Sequence, residues 1–317
     1  MKIIFVSDLH GKKPLYNKLL KYALDEKADC IIIGGDLFPT WIAPLPKLIS
    51  GNIDFNQALD IQLTFIDSYL APLLNNFIAA HPYIRLLIVP GNHDWERAIN
   101  HFIPKVPEAV FLHNKAAVID NICFFGYGCV TDSPFWVKDY VRLESRDAQY
   151  VKSRFPLISS AHGICLSHNG EYAKCRPSIE EELDALKIQD AKTSIGIFHC
   201  PPYDTPLDTL FNGRPIGSRS IRKFIEGLQP KITLHGHIHE SPYMSGSFHT
   251  FLQNTLCVNP GHHPNTLHAV CFETSDPIVS LKHSVFVHGV PRNRGVKGMA
   301  DHCARALKSG FINTVLT

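Results

Sequence analysis

Residues Ile84–Glu96 read IRLLIVPGNHDWE. A β-favouring run, Ile84–Val89, stops at Pro90–Gly91. Amide, imidazole and carboxylate side chains then follow in direct succession at Asn92, His93 and Asp94. Asn, Asp and Gly collect at turns for backbone reasons alone, so this stretch taken singly reads as a turn that ends a strand. The rest of the chain repeats the design.

Four further apolar runs end in Asp, Gly or His: IIFVSDLHG (3–11), CIIIGGD (30–36), IGIFHCPP (195–202) and ITLHGHIHE (232–240). Short continuous apolar runs of this kind suit strands buried on both faces. Helical spacing lies between them. Leu15, Leu19, Tyr22 and Ala23 share one face, as do Leu59, Leu63, Ile66, Leu70, Leu73 and Phe77, and then Ile221, Phe224, Ile225 and Leu228. Alternating strand and helix predicts an α/β architecture. In such sheets the carboxyl ends of the strands are where ligands bind, and here those ends are polar. After residue 255 the runs TLCVNPG, LHAVCFET and SLKHSVFVHG are more strand-like, which predicts a second sheet packed on the first. Residues 130–190 read as loops and helices over the sheet edge. The polar strand ends run from residue 8 to residue 239, so one domain over 1–317 is expected, with insertions at 41–57 and 130–190.

Composition fits a globular chain: 317 residues, 45% hydrophobic and 19% charged. The net charge of +2 and the lack of a long basic block disfavour a nucleic-acid partner. No apolar run approaches the roughly 18–20 residues that span a bilayer, so no membrane partner is expected. The nine cysteines include no C-x-x-C pair, and several sit in strand-like runs, which points away from a disulfide framework. With a first strand opening at Lys2, and so no room for a leader, a cytoplasmic location is expected.

Five clusters carry the chemistry: Asp8 with His10, Asp36, Asn92–His93–Asp94, His199, and His237 with His239. Each has an ordinary reading by itself. Asp8-x-His10 could be a turn, Asp36 a helix cap, and His199 a hydrogen-bonded loop residue. Two imidazoles at i and i+2 on extended chain do point the same way. All five follow strand runs and so should arrive at one edge of the sheet. Imidazole nitrogen, carboxylate and carboxamide oxygen without thiolate suit Mn²⁺, Fe²⁺ or Zn²⁺. Seven such residues exceed what one ion needs and read as a two-metal site.

Motif for motif and in order, D8-L-H10, G35-D36, G91-N92-H93-D94, H199 and G236-H237-I-H239 resemble the calcineurin-like metallophosphoesterase superfamily. The likeness runs from residue 2 to about Gly261, where Asn259-Pro260-Gly261 would be the strand end that usually follows. The stretches PPYDTPLD, GSRSIRKFIE and LHGHIHE further resemble a branch of predicted cytoplasmic phosphoesterases without an assigned substrate.

The resemblance implies a two-sheet β-sandwich flanked by helices (αββα), and two divalent metal ions. Asp8, His10 and His239 would hold one ion and Asn92, His199 and His237 the other, with Asp36 bridging. The implied reaction is hydrolysis of a small phosphodiester or phosphomonoester, nucleotide-derived ones included, by metal-hydroxide attack. His93 would be the general acid, and Asp94 would orient its ring. Two alternatives stand beside this: a nuclease of the same superfamily, and a metal-stabilised scaffold without turnover. An intact His93 speaks against the scaffold.

Other residues have milder expectations. His235 is read as packed core. His262, His263, His162, His168, Asn169 and Trp41 are read chiefly as loop or surface positions that could approach the pocket. Arg214 and Arg219 are read as capping or solvated residues, and Gly126–Gly128 as no dinucleotide fingerprint. Arg292, Arg294 and Lys297 are read as a solvated face.

Overall fold

A computed structural model describes residues 1–41, 53–287 and 289–290. The Arg292, Arg294 and Lys297 cluster lies outside the described residues, as does most of the insertion expected at 41–57.

The strands in chain order are β1 (Lys2–Val6), β2 (Cys30–Gly34), β3 (Arg85–Val89), β4 (Val110–Phe111), β5 (Lys115–Ile119), β6 (Ile122–Tyr127), β7 (Val130–Thr131) and β8 (Val141–Arg142). There follow β9 (Leu157–Ser160), β10 (Gly163–Leu166), β11 (Ile195–Phe198), β12 (Ile232–Leu234), β13 (His249–Leu252), β14 (Thr255–Val258), β15 (Ala269–Glu273) and β16 (Lys282–His283). One six-stranded sheet has the order β16-β15-β1-β2-β3-β4, the other β13-β14-β12-β11-β6-β5.

In the first sheet β1 to β4 run parallel and β15 pairs antiparallel to β1. In the second, β6, β11, β12 and β14 run parallel, closed by antiparallel β5 and β13. Parallel strands need crossovers, and the amphipathic segments supply them. They form helices at Lys13–Asp25, at Asn56–Phe65 continuing through a π turn (Ile66–Leu70) into Ala71–Ala80, and at Arg219–Leu228. Ser218 caps the last of these by accepting from the Ile221 N–H at 3.1 Å.

The sheets pack face to face. Ile3, Phe5, Ile32, Leu87 and Val89 of the first bury against Phe124, Ile195, Ile197, Leu234 and Val258 of the second. Their outer faces pack on the helices, Ile4, Ile31 and Ile88 with Leu19, Leu59 and Leu74, and Phe198 with Ile221 and Ile225. Burial on both faces explains why the strands read as unbroken apolar runs: β2, β11 and β12 are buried throughout. The architecture is the expected two-sheet sandwich between helices.

Three sequence expectations change. The polar strand ends do not lie on one sheet, because β1, β2 and β3 belong to the first and β11 and β12 to the second. The strand-rich end of the chain is likewise divided, β14 completing the second sheet and β15 and β16 the first. Strand propensity is local, whereas the choice of sheet is set by which edge is open, and no local pattern encodes it. Residues 130–190 contain more strand than expected: the parallel pair β7–β8 and the hairpin β9–β10, with short helices at Glu171–Lys174 and Ile179–Asp184.

Phe5 lies wholly buried between the sheets. Phe5→Ala is expected to lower unfolding free energy by about 3–5 kcal/mol through lost burial and the cavity left behind. Urea denaturation followed by circular dichroism measures it, and Ile3→Val should cost no more than about 1.5 kcal/mol.

Candidate metal centre

The carboxyl ends of β1, β2 and β3 meet those of β11 and β12, and the backbone just beyond them is bent hard. Asp8, His10, Asp36 and His237 all have positive φ, at 60°, 45°, 52° and 65°. Such conformations cost about 1–3 kcal/mol each in residues with a side chain, and persist where surrounding bonds enforce them. Here the Asp8 N–H donates to Gly35 O at 3.0 Å, the His10 N–H to Asp36 O at 2.8 Å and the Gly236 N–H to His199 O at 3.0 Å. The His237 N–H donates to the Asp8 carboxylate at 3.1 Å. Only glycine fits at two of the closest approaches. A Cβ on Gly91 would collide with the backbone nitrogen and Oδ1 of Asp36 and stand 2.8 Å from the His199 ring. On Gly236 it would collide with Ser7 Oγ and lie 2.6 Å from Asp8 Oδ2.

Among the described residues two compact groups of ligand-type atoms result, Asp8–His10–His239 and Asp8–Asp36–His199, each with its atoms within 4.8 Å of one another. Asp36, a member of the second group, also approaches the first. Its Oδ2 is 3.7 Å from His10 Nε2 and its Oδ1 3.5 Å from His199 Nε2. Asp8 is nevertheless the residue common to both groups, with Oδ1 3.3 Å from His239 Nε2 and 4.0 Å from His199 Nε2. Asn92 Oδ1 stands 3.1 Å from His199 Nε2, and the His237 ring lies 5.3 Å from that of His199.

The protonation pattern shows what these atoms need. His199 Nδ1 faces the Gly34 carbonyl at 2.8 Å. A carbonyl only accepts, so Nδ1 carries the hydrogen and the neutral ring offers a lone pair at Nε2. That lone pair faces the oxygens of Asn92, Asp36 and Asp8, all acceptors. In the other group His10 Nδ1 is engaged by the Thr40 hydroxyl at 2.9 Å, while His10 Nε2 and His239 Nε2 face one another at 3.2 Å. At His199 a lone pair and three oxygens converge, which calls for a proton or a cation at the focus.

The same demand appears in the acidities. Burial disfavours the charged form of His199, but Asp36 and Asp8 override it and hold the group up to about 9. His239 is raised for the same reason, burial opposing and Asp8 prevailing. Burial holds His10 and His237 down to about 3, so both rings are neutral, the form that ligates metals. Asp36 stays well below the usual carboxylate range: burial pushes it up, and the facing His199 and His93 pull it down further. The donor set therefore fits divalent cations of the Mn²⁺, Fe²⁺ or Zn²⁺ kind.

The sequence model of the calcineurin-like phosphoesterase family matches residues 1–241. The chain belongs to that family. Membership implies a hydrolase of phosphoesters, and its members typically use divalent metals. The uncharacterized protein MJ1162 of Methanocaldococcus jannaschii is 26% identical over 267 residues, which cover 82% of this chain and 88% of that protein. The solved structure of TT1561 from Thermus thermophilus shares the fold with a TM-score of 0.53 and 18% identity, covering 89% of this chain and 97% of its own. Another solved chain aligns at a TM-score of 0.56 and 17% identity, over 89% of this chain and 98% of its own.

The sequence-selected residues come together, with one change of duty. Asp94, expected behind the His93 ring, accepts from three backbone N–H groups: Leu37 at 3.2 Å, Phe38 at 3.0 Å and Gly91 at 2.9 Å. It ties the loop after β2 to the loop after β3, and the turn that aims Asn92 depends on it. The His93 ring instead stands 5.4 Å from the His10 ring and 5.7 Å from Phe135.

Among the milder candidates, His235 is packed core, stacked on Phe198 at 5.6 Å with both ring nitrogens engaged. Exposed His162, His168 and Asn169 stay on the surface. Half-buried Trp41 packs on Phe55 at 6.4 Å. The exposed Arg219 guanidinium lies 3.6 Å over the Tyr203 ring.

Three contributors were not singled out in the sequence: Thr40, Phe135 and Gln62. The buried Gln62 amide donates to His93 O at 2.7 Å and to Pro39 O at 3.3 Å, while its oxygen accepts from the Trp95 N–H at 3.0 Å. Its one sequence signal is a polar residue on the apolar face marked by Leu59 and Ile66, since a buried amide there needs partners.

Two variants separate these duties. Asp94→Ala strands three buried N–H groups and should cost about 3 kcal/mol or more of stability in a denaturant titration. Were Asp94 engaged only with the His93 ring, stability would hold while turnover fell. Gln62→Ala, which frees the His93 carbonyl, should lower kcat about tenfold or more while metal content, read by elemental analysis, stays at the wild-type value.

Proposed function

We propose that the protein is a dinuclear-metal-dependent phosphoesterase that hydrolyses a small phosphodiester or phosphomonoester, with nucleotide-derived diesters the first to try. The observation that carries this reading is the convergence of ligand-type atoms on Asp36 and Asp8: His199 Nε2 and Asn92 Oδ1 on one side, His10 Nε2 and His239 Nε2 on the other. Asp8, His10 and His239 would hold one ion and Asn92, His199 and His237 the other, with Asp36 between them. The ions would supply Lewis-acid activation of water and of the phosphoryl oxygens.

The chain's own residues do the rest. Thr40 and the Gly34 carbonyl fix the rings of His10 and His199 through Nδ1, so that each presents Nε2 to the centre. The His93 N–H donates to Asp36 Oδ1 at 2.8 Å, which sets the carboxylate and places the His93 side chain at the rim of the same centre. No ring nitrogen of His93 has a hydrogen-bond partner among the described residues, and its imidazole is available to give a proton to the departing oxygen. Burial lowers the His93 pKa, the carboxylate of Asp36 opposing, which makes the ring a readier proton donor once substrate holds it charged.

The described cysteines are all free thiols, six of them buried, in keeping with action in a reducing cytoplasm. No helix among the described residues is long and apolar enough to cross a membrane.

With Mn²⁺ supplied, the purified protein should hydrolyse an aryl phosphodiester or monoester, lose that activity to a chelator and regain it with Mn²⁺. His93→Ala should reduce kcat by about 10²–10⁴ with its metal content kept, whereas Asp36→Asn should lose both activity and bound metal. Failure to hydrolyse either ester with any of several divalent ions would sink the reading. A preference for single-stranded DNA over small diesters would move the assignment to a nuclease.

A further inference from the structure

His262 follows the turn Asn259–Pro260–Gly261 after β14, and that turn is held from several sides. The Asn259 amide donates to Leu207 O at 3.0 Å, and to Gly236 O and Ile238 O of the His237–His239 loop at 3.3 and 3.2 Å, while its oxygen accepts from the Gly261 N–H at 2.9 Å. Two buried imidazoles share the Pro260 carbonyl, His268 through Nδ1 at 3.1 Å and His283 through Nε2 at 3.0 Å. Their other nitrogens are engaged as well, His268 Nε2 with the Tyr243 hydroxyl at 3.0 Å and His283 Nδ1 by the Val285 N–H at 3.0 Å. The His262 N–H donates to the His239 carbonyl at 3.1 Å. So many bonds on so few residues fix the place from which His262 projects its side chain.

That place is the ligand group. The His262 ring centre is 4.8 Å from that of His239 and 5.6 Å from that of His10. His10 is therefore a common neighbour of His262 and of His93, which stands 5.4 Å from it. The His262 ring is only half-buried, and neither of its nitrogens has a hydrogen-bond partner among the described residues. His235, His268 and His283, also close-packed, have every ring nitrogen engaged. His262 is not in the compact Asp8–His10–His239 group, so its nitrogens stand outside the focus where those ligand atoms converge. An imidazole beside the ligand group, unpaired among the described residues and outside the focus, is available to a molecule that an ion there would hold.

We propose that His262 is a second substrate-facing imidazole, which donates a hydrogen bond to a phosphoryl oxygen of the ester held against the Asp8–His10–His239 group. The inference rests on the phosphoesterase reading and deepens it: His93 serves the departing oxygen and His262 holds the phosphoryl group. A bond from nitrogen to a charged phosphate oxygen is strong enough to matter for binding and strengthens as charge builds on the oxygens.

The test uses the full chain loaded with Mn²⁺ and three variants, His262→Ala, His262→Phe and His262→Gln. Inorganic phosphate binding is measured by calorimetry, beside metal content, thermal midpoint and aryl phosphodiester hydrolysis. Expected are wild-type metal content in all three, phosphate binding about tenfold weaker in the Ala and Phe variants, and recovery of most of that loss in Gln, which restores an N–H donor. Phe fills the ring's volume, so a fall in thermal midpoint confined to Ala does not touch the comparison. The inference is overturned if Ala and Phe bind phosphate as wild type does, if Gln recovers nothing, or if any variant loses an ion and so marks His262 as a ligand. If the wild type itself binds no phosphate and hydrolyses neither ester, the phosphoesterase reading falls and this inference with it. A competent wild type with indifferent variants sinks the inference alone.

Discussion

Lone pairs repel unless something positive stands between them, and this site is a cage of lone pairs. The Nε2 atoms of His10, His199 and His239 and the oxygens of Asp8, Asp36 and Asn92 are brought within a few ångströms of one another, and negative charge crowds there even with the His93 and His237 N–H groups donating to Asp36 and Asp8. Partial protonation answers this in part, by raising His199 and His239 against the cost of burial. A divalent cation would answer it more fully, because it can bind several acceptors at once and needs no proton from any of them. Much of the surrounding structure resists the splaying apart that these groups would otherwise favour.

That resistance comes from three sources. The sandwich core fixes the strand ends, through contacts such as Phe5 and Val89 against Ile197 and Leu234. Bent backbone at Asp8, His10, Asp36 and His237 turns four side chains inward at a cost of about 1–3 kcal/mol each. Polar clamps then hold the loops to one another. Asp94 joins the β2 and β3 loops, Gln62 holds the His93 turn from the helix, and Asn259 ties the β12 loop to the β14 loop. None of the three offers an atom to the ligand groups. Their work is to make strained loops cheaper than relaxed ones, which lets lone pairs be preorganised rather than gathered on binding.

The segment GNHD shows how far local reading reaches. Asn92 and His93 stand where a strand-end motif should put them, because a turn after a parallel strand can only project its side chains over that sheet edge. Asp94 is of the same local pattern and a different duty, since its partners Leu37 and Phe38 are supplied by a loop more than fifty residues away in sequence. Gln62 and Thr40 escaped notice for a similar reason. An amide on a helix and a hydroxyl in a loop gain meaning only from what lies opposite. His262 is the plainest case, a loop histidine by pattern that long-range bonds from Asn259, His268 and His283 set beside His10 and His239.

The chain by itself determined the elements and the chemistry. Apolar runs closed by Asp, His and Gly made strands buried on both faces, helical spacing made the crossovers, and residue types in a fixed order declared a site for hard or borderline cations. These are local properties, set by side-chain volume, polarity and turn chemistry within a few residues. Tertiary structure alone decided that the strand ends come from two sheets, that Asp8 as well as Asp36 reaches both ligand groups, that Asp94 holds backbone, and that His262 joins the rim. Each of these depends on which edges pair and which loops meet, and that is governed by packing between residues far apart in the chain.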